Sequence, residues 1–345
     1  MGDRKTNRFR GDVMAKIRWG ILSTAKIGVK QVIPAMQQGE FSEVAAISSR
    51  SLEQAQKTAR QLSIPKYYGS YDELLEDPEI DAIYNPLPNN LHCEWSVRAM
   101  KAGKHVLCEK PLGLTCEEVE TLIRTRDECN IKAGEAFMVK VHPQWTAVYD
   151  KVVNKEIGEL RLIQGMFSYH NADPQNIRNI PETGGGGMWD IGCYPVTLSR
   201  YLFREEPERV AASLEFDPLM KTDRLGTVIM DFPSGKAVFG VSTQLVPFQS
   251  MHIFGTSEHL EVLIPFNAPK NRSCVVHQDG GDILGEDTRV HSFPAVDQYT
   301  LQGDEFSRAI LDNTEVPSTF EDSLANTRVL LAIFRAAAED CWVRV

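Results

Sequence analysis

The sequence has no apolar run approaching the roughly 18 residues that span a bilayer, so no membrane partner is expected. It has no basic cluster either. Its 37 lysines and arginines stand against 47 aspartates and glutamates, a net charge of −10, which argues against nucleic acid as a partner. There is no Cys-x-x-Cys pair. The seven cysteines, at 93, 108, 116, 129, 193, 274 and 341, are odd in number and scattered. That pattern suits neither a zinc ribbon nor a dithiol centre. No metal is expected, and the thiols read as reduced in a cytoplasmic protein. Residues 1–15 are polar and basic without the apolar core of a secretory signal. They are expected to form a flexible segment, with Met14 onward reading as a natural start. Internal repeats and low-complexity segments are lacking too.

Two local absences say more. In Gly20-Ile21-Leu22-Ser23-Thr24-Ala25-Lys26-Ile27-Gly28 the spacing G-x-G-x-x-G falls on Ser23, Ala25 and Gly28, so only the last glycine is present. Ser23 and Ala25 are still small enough for the backbone to approach a phosphate, and Thr24 adds a hydroxyl at a helix start. At the end of the next strand, Ser48-Ser49-Arg50-Ser51 lacks the carboxylate that grips a ribose 2′-hydroxyl in NAD-binding folds. Hydroxyls and a guanidinium suit a 2′-phosphate instead, pointing to NADP(H), although Ser51 also reads as a helix cap.

What is present is a strand–helix alternation. Strands are expected over 17–22, 43–48, 81–84, 105–108 and 131–137, and helices over 27–38, 52–62, 71–75, 91–102 and 116–129. Ser51–Gln54, Ser70–Glu73 and Thr115–Glu118 have capping-box spacing. The expected fold class is α/β. Residues 16–137 form an NADP-binding doubly wound parallel sheet, and 138–345 form a substrate and oligomerisation domain with a large, open, mainly antiparallel sheet. The second part starts with a helix over 144–153. Strands follow over 160–170, 226–232, 237–245 and 251–264. A last helix over 323–339 is expected to pack on a domain face, with the first domain's as a candidate.

Three motifs fall where such a sheet binds ligands. Glu109-Lys110-Pro111 ends the 105–108 strand and fixes a cation at the sheet rim. Asn85-Pro86-Leu87-Pro88-Asn89-Asn90-Leu91-His92 is an extended rim loop, and His92 is either a cofactor or a helix-start contact. Thr183 to Tyr194 carries four consecutive glycines, then Asp190 and Tyr194 four residues apart on one helical face. The glycines allow movement or close approach.

Together with Glu135-Ala136-Phe137-Met138 and His142-Pro143, these motifs resemble the Gfo/Idh/MocA oxidoreductase family from Ile17 onward. The branch is similar to NADP-dependent D-xylose dehydrogenases, dihydrodiol dehydrogenases and aldose-aldose oxidoreductases. The resemblance implies Lys110, Asp190 and Tyr194 as catalytic positions. It places Ser23, Thr24, Ala25, Lys26, Ile27, Gly28, Ser49, Arg50, Ser51, Asn85, Pro86, Leu87, His92, Glu109, Lys110, Trp189 and Gln298 at the cofactor. Lys140 stands where relatives often have arginine. The implied reaction moves hydride between the nicotinamide and a sugar or polyol. Tyr194 acts as general base, its pKa lowered by Lys110, and Asp190 orients the sugar or the lysine. A homodimer or homotetramer through the C-terminal sheet is implied. A sugar–sugar oxidoreductase that retains its cofactor, a dihydrodiol dehydrogenase and a non-catalytic sugar sensor stay open.

Overall fold

The computed structural model describes residues 15–345. The segment expected to be flexible lies, but for Ala15, outside the described residues. β1 (Ile17–Ile21) runs through a π-turn (Gly28–Val32) into α1 (Ile33–Met36). β2 (Ser42–Ser48), α2 (Leu52–Gln61), β3 (Lys66–Tyr68), α3 (Tyr71–Leu75), β4 (Ala82–Asn85), α4 (His92–Lys101), β5 (His105–Glu109), α5 (Cys116–Cys129) and β6 (Ala133–Ala136) follow. The strands form one parallel sheet in the order β3-β2-β1-β4-β5-β6. The order reverses between β1 and β4, which opens a crevice at their carboxyl ends. Ser51, Ser70 and Thr115 all cap their helices, but only Thr115 with Glu118 bonds in both directions.

The second part contains α6 (Pro143–Val153), β7 (Leu160–His170), a second π-turn (Met188–Gly192) and α7 (Cys193–Phe203). Then come β8 (Arg209–Phe216), β9 (Asp223–Asp231), β10 (Lys236–Ser242), β11 (Gln244–Gly255), β12 (His259–Val262), β13 (Cys274–Asp279), β14 (Arg289–Phe293), α8 (Gln298–Leu311), α9 (Phe320–Glu339) and β15 (Val343–Arg344). Nine strands pair in the order β14-β13-β12-β11-β7-β10-β9-β8-β15, with β7 and β10 as the parallel neighbours. Ile163, Phe167, Phe239 and Ile253 are buried against residues of α6, α7 and α9. The alternate residues Leu162, Ile229, Val238 and Phe254 stay partly exposed on the other face.

Strands β3, β8, β13, β14 and β15 form where none was expected, and two further elements differ from expectation. The strand expected over 251–264 is two strands. At the break, Thr256 N and Ser257 N donate to the carbonyls of Glu159 and Ile157, and a Cβ on Gly255 would lie 1.9 Å from Ile157 O. The second is α8, which periodicity did not single out. It packs on the first sheet: Trp19 Nε1 donates to Ser307 Oγ at 3.0 Å, and the Asp304 carboxylate accepts from Glu40 N and Phe41 N. The last helix joins both parts. Phe320 enters the first core, while Val329, Leu330 and Ile333 enter the second.

Candidate active site

Both π-turns face the crevice, and each has a proline close behind it. Pro34 and Pro195 have no N–H to donate to the carbonyls of Lys30 and Ile191, so the α-helical ladder cannot run unbroken through these starts. Between them lies a cavity of about 1860 Å³, lined at one end by Ser23, Thr24 and Arg50 and at the other by Lys110, Asp190 and Tyr194.

At the first end, Ser23 adopts φ 65, the left-handed conformation a fingerprint glycine would supply. Its Oγ accepts from Ala25 N at 3.2 Å, which offsets part of that strain. Thr24, Ala25, Lys26 and Ile27 also line the cavity; Gly28 is buried beside Tyr84 and Pro86. Ser49 and Arg50 line the cavity near Ser70 and Tyr71. Ser51 does not: its hydroxyl caps α2 by accepting from Gln54 N.

Several residues expected at the cofactor make hydrogen bonds or packing contacts within the scaffold. Asn85 is fully buried; its amide donates to Ser96 Oγ and His92 O and accepts from Leu87 N. His92 is equally buried at the cavity wall. Its Nδ1 lies 2.8 Å from Pro111 O and its Nε2 2.7 Å from Leu87 O, so it ties the two rim loops together. Pro86, Leu87 and Glu109 do line the cavity. Trp189 points away and packs on Phe334 with ring centroids 5.5 Å apart. Gln298 is buried off the cavity, donating to Phe266 O. Lys140 pairs with Asp322 at 2.8 Å, also away from the cavity.

At the second end four elements converge on one carboxylate. Asp190 Oδ1 lies 3.3 Å from Lys110 Nζ and 3.0 Å from Arg178 Nε, and its Oδ2 accepts from Tyr169 Oη at 2.6 Å. The Lys110 ammonium also donates to the Asp190 carbonyl. Burial pushes the Asp190 pKa up, but Lys110, Arg178 and the phenol outweigh it and hold the carboxyl well below its usual range. Burial likewise opposes the charge on Lys110, and Asp190 reverses that, so the ammonium titrates above its ordinary value.

Tyr194 departs from expectation. Its ring sits among Phe137, Phe167 and Phe266, and its hydroxyl lies 3.6 Å from Met138 Sδ. Lys110 Nζ stands over the ring face, 4.9 Å from the centroid, rather than at the hydroxyl. Burial pushes the phenol well above its ordinary pKa, not below. At neutral pH the Tyr194 phenol is therefore protonated.

The glycine run also differs. A Cβ on Gly185 would lie 2.6 Å from Arg178 O, and one on Gly186, at φ 126, 2.0 Å from Asp223 Oδ1. The close approach is to the chain itself. Asp223 accepts from Met188 N at 2.6 Å and anchors the turn that carries Asp190.

Tyr169, Arg178 and Tyr299 also line this end, and sequence reasoning missed them. Tyr169 shares a strand face with Phe167, a period-two relation that was legible once β7 was recognised. Arg178 sits in an irregular loop with no periodic signal.

A doubly wound sheet whose switch-point crevice opens onto an ammonium, a carboxylate and a phenol defines a pyridine-nucleotide oxidoreductase with a second, substrate-facing domain. Residues 17–137 match the oxidoreductase family with an NAD-binding Rossmann fold, and residues 145–261 match the GFO/IDH/MocA C-terminal domain. An uncharacterised oxidoreductase of Rhizobium meliloti is 44% identical over 334 residues, covering 96% of this chain and 100% of the relative. The D-xylose 1-dehydrogenase (NADP(+)) 2 of Haloferax volcanii is 35% identical, covering 92% and 97%. A 3-ketoreductase from Actinomadura kijaniata, solved with NADP and TDP-benzene, superposes with a TM-score of 0.86 at 28% identity, covering 93% and 98%. The aldose-aldose oxidoreductase from Caulobacter crescentus superposes with a TM-score of 0.87 at 25% identity, covering 96% and 100%.

The chain belongs to the Gfo/Idh/MocA oxidoreductase family. It is an NADP-dependent oxidoreductase. The cavity fits that cofactor: its extent suits a dinucleotide plus a substrate, and the tip of β2 offers Ser49 and Arg50 with no carboxylate of its own.

Proposed function

We propose that the chain interconverts a carbinol and a carbonyl on a sugar, an aldose C1 or a related polyol carbon, with Lys110, Asp190 and Tyr194 as its catalytic residues. The observation that carries this reading is the Lys110–Asp190 pair, 3.3 Å apart beside the Tyr194 ring, in a cavity continuous with the β1 turn. NADP(H), when bound, supplies the hydride chemistry. Ser23 to Ile27 border the pyrophosphate region, and Ser49 with Arg50 hold the 2′-phosphate. Lys110 donates a hydrogen bond to the reacting oxygen and stabilises negative charge there. Asp190 keeps the lysine charged and in place. Tyr194, protonated and lacking a strong partner, gives its Oη proton to that oxygen in the reductive direction. Arg178, with its side chain 43% exposed, and the amides of Asn171 and Asn176 face the remaining hydroxyls of a neutral sugar.

A protein with this arrangement works as a homodimer or homotetramer in the cytoplasm, its partly exposed sheet face covered by a second copy. The deciding experiment is an NADP(H)-linked assay over aldoses, polyols, cyclic diols and keto sugars, with bound nicotinamide measured first by absorbance. Turnover on sugars with a cofactor-free sample is expected. A sample that arrives with bound nicotinamide and turns over only when a second sugar is added identifies a sugar–sugar oxidoreductase. NADPH binding without turnover on any member identifies a sensor and sinks the enzymatic reading.

A further inference from the structure

Outside the cavity a buried ionisable group touches the loop that carries Lys110. Glu135 lies on β6, next to β5, with Cys108 opposite it in register. Its Oε1 accepts from Leu112 N at 2.8 Å, two residues beyond Lys110. Its Oε2 accepts from Ser323 Oγ at 2.7 Å, in the first turn of α9. One carboxyl thus ties the Lys110 loop to the helix that packs on both parts of the molecule. The mechanism above gives this residue no role.

We propose that Glu135 is the positioning residue for Lys110, and that its ionisation tightens the hold on the loop and so sets the pH dependence of turnover. The proposal rests on the reading of Lys110 as catalytic. The physical reason is the strength of the Leu112 contact. A backbone N–H bonded to a carboxylate is held roughly twice as strongly as one bonded to a neutral acid. A small displacement of a catalytic group costs up to about a hundredfold in rate.

Ser323 lets the site tolerate both states. Its Oγ also lies 3.1 Å from Thr319 O, so the hydroxyl donates to an ionised Glu135, or turns to Thr319 and accepts from a protonated one. The charged and titratable groups around Glu135 come from four elements. Asp322 on α9 and Cys193 on α7 face it, as do Lys140 in the turn after β6 and Cys108 on β5. The Glu135 pKa is raised to about 7: burial pushes it up most, the Ser323 and Leu112 hydrogen bonds pull it down, Asp322 pushes it up and Lys140 pulls it down.

The test compares wild type with Glu135→Gln and Glu135→Ala by two readouts. The first is the pH profile of kcat between about pH 5 and 9. The second is the rate at which an amine-reactive ester acylates Lys110, followed by peptide mass spectrometry. Wild type should show a rise in kcat with a midpoint near 7. Gln, which accepts from Leu112 as a neutral group and donates to Ser323, should remove that midpoint and hold kcat near the low-pH level of wild type. Ala should lower kcat about tenfold to a hundredfold while changing KM for NADP(H) little, and Lys110 should acylate several-fold faster than in wild type or Gln. A Glu135→Gln enzyme that keeps the wild-type midpoint, or an Ala enzyme with unchanged Lys110 labelling, overturns the proposal. Labelling needs no turnover, so it still decides the role of Glu135 if the substrate reading fails.

Discussion

A single carboxylate organises the reacting end, and its consequences are measurable. Lys110→Ala and Tyr194→Phe should each lower kcat at least about a hundredfold and leave NADPH affinity within a few-fold, by fluorescence titration. Arg50→Asp should weaken NADP by about tenfold or more and NAD far less, because hydrogen bonds to the 2′-phosphate are charge-assisted; equal weakening of both would remove the 2′-phosphate assignment. Asp190 titrates below its unfolded value near 4. The stability it contributes is therefore present above that pH and lost as pH falls below it. Asp190→Asn should be most destabilised relative to wild type at neutral pH, and the gap in thermal midpoint should close below about pH 4. Lys110 and Asp190 were legible from their motifs. The protonation of Tyr194 was not, because it depends on Phe137, Phe167 and Phe266 arriving from three other segments. Asn85 and His92 look like ligands in a rim loop, and their buried hydrogen bonds to the loop backbone become visible only in the fold.

Among the elements, the parallel strands other than β3 and their helices could be read from periodicity and caps, since each is decided within a dozen residues. α8 was not, because it packs on Trp19 and Met36, some 270 residues earlier. Phe306, fully buried with its centroid 5.6 Å from that of Trp19, fixes this contact. Phe306→Ala should cost about 3–5 kcal/mol in denaturant unfolding. The turn before α7 is equally constrained. Gly186→Ala must fit a Cβ against the Asp223 carboxylate at a φ side chains avoid, and should destabilise by about 3 kcal/mol while displacing Asp190. Near-normal stability and turnover in that variant would show that the glycine run is not a packing device.

At the scale of the whole molecule, the nine-stranded sheet has one face buried and one not. Leu162 pairs with Phe254, and Val238 with Ile229, along the uncovered side. Light scattering should give a mass of at least two chains, and Leu162→Glu with Phe254→Glu should reduce it to one. A monomeric wild type removes the assembly proposed for this face.

The lysine at the reacting end arrives on the first sheet, and its carboxylate belongs to the domain beyond β6. Prising the two halves apart must therefore strip the ammonium of its counter-charge, so the reacting end proposed above is complete only while the halves are together.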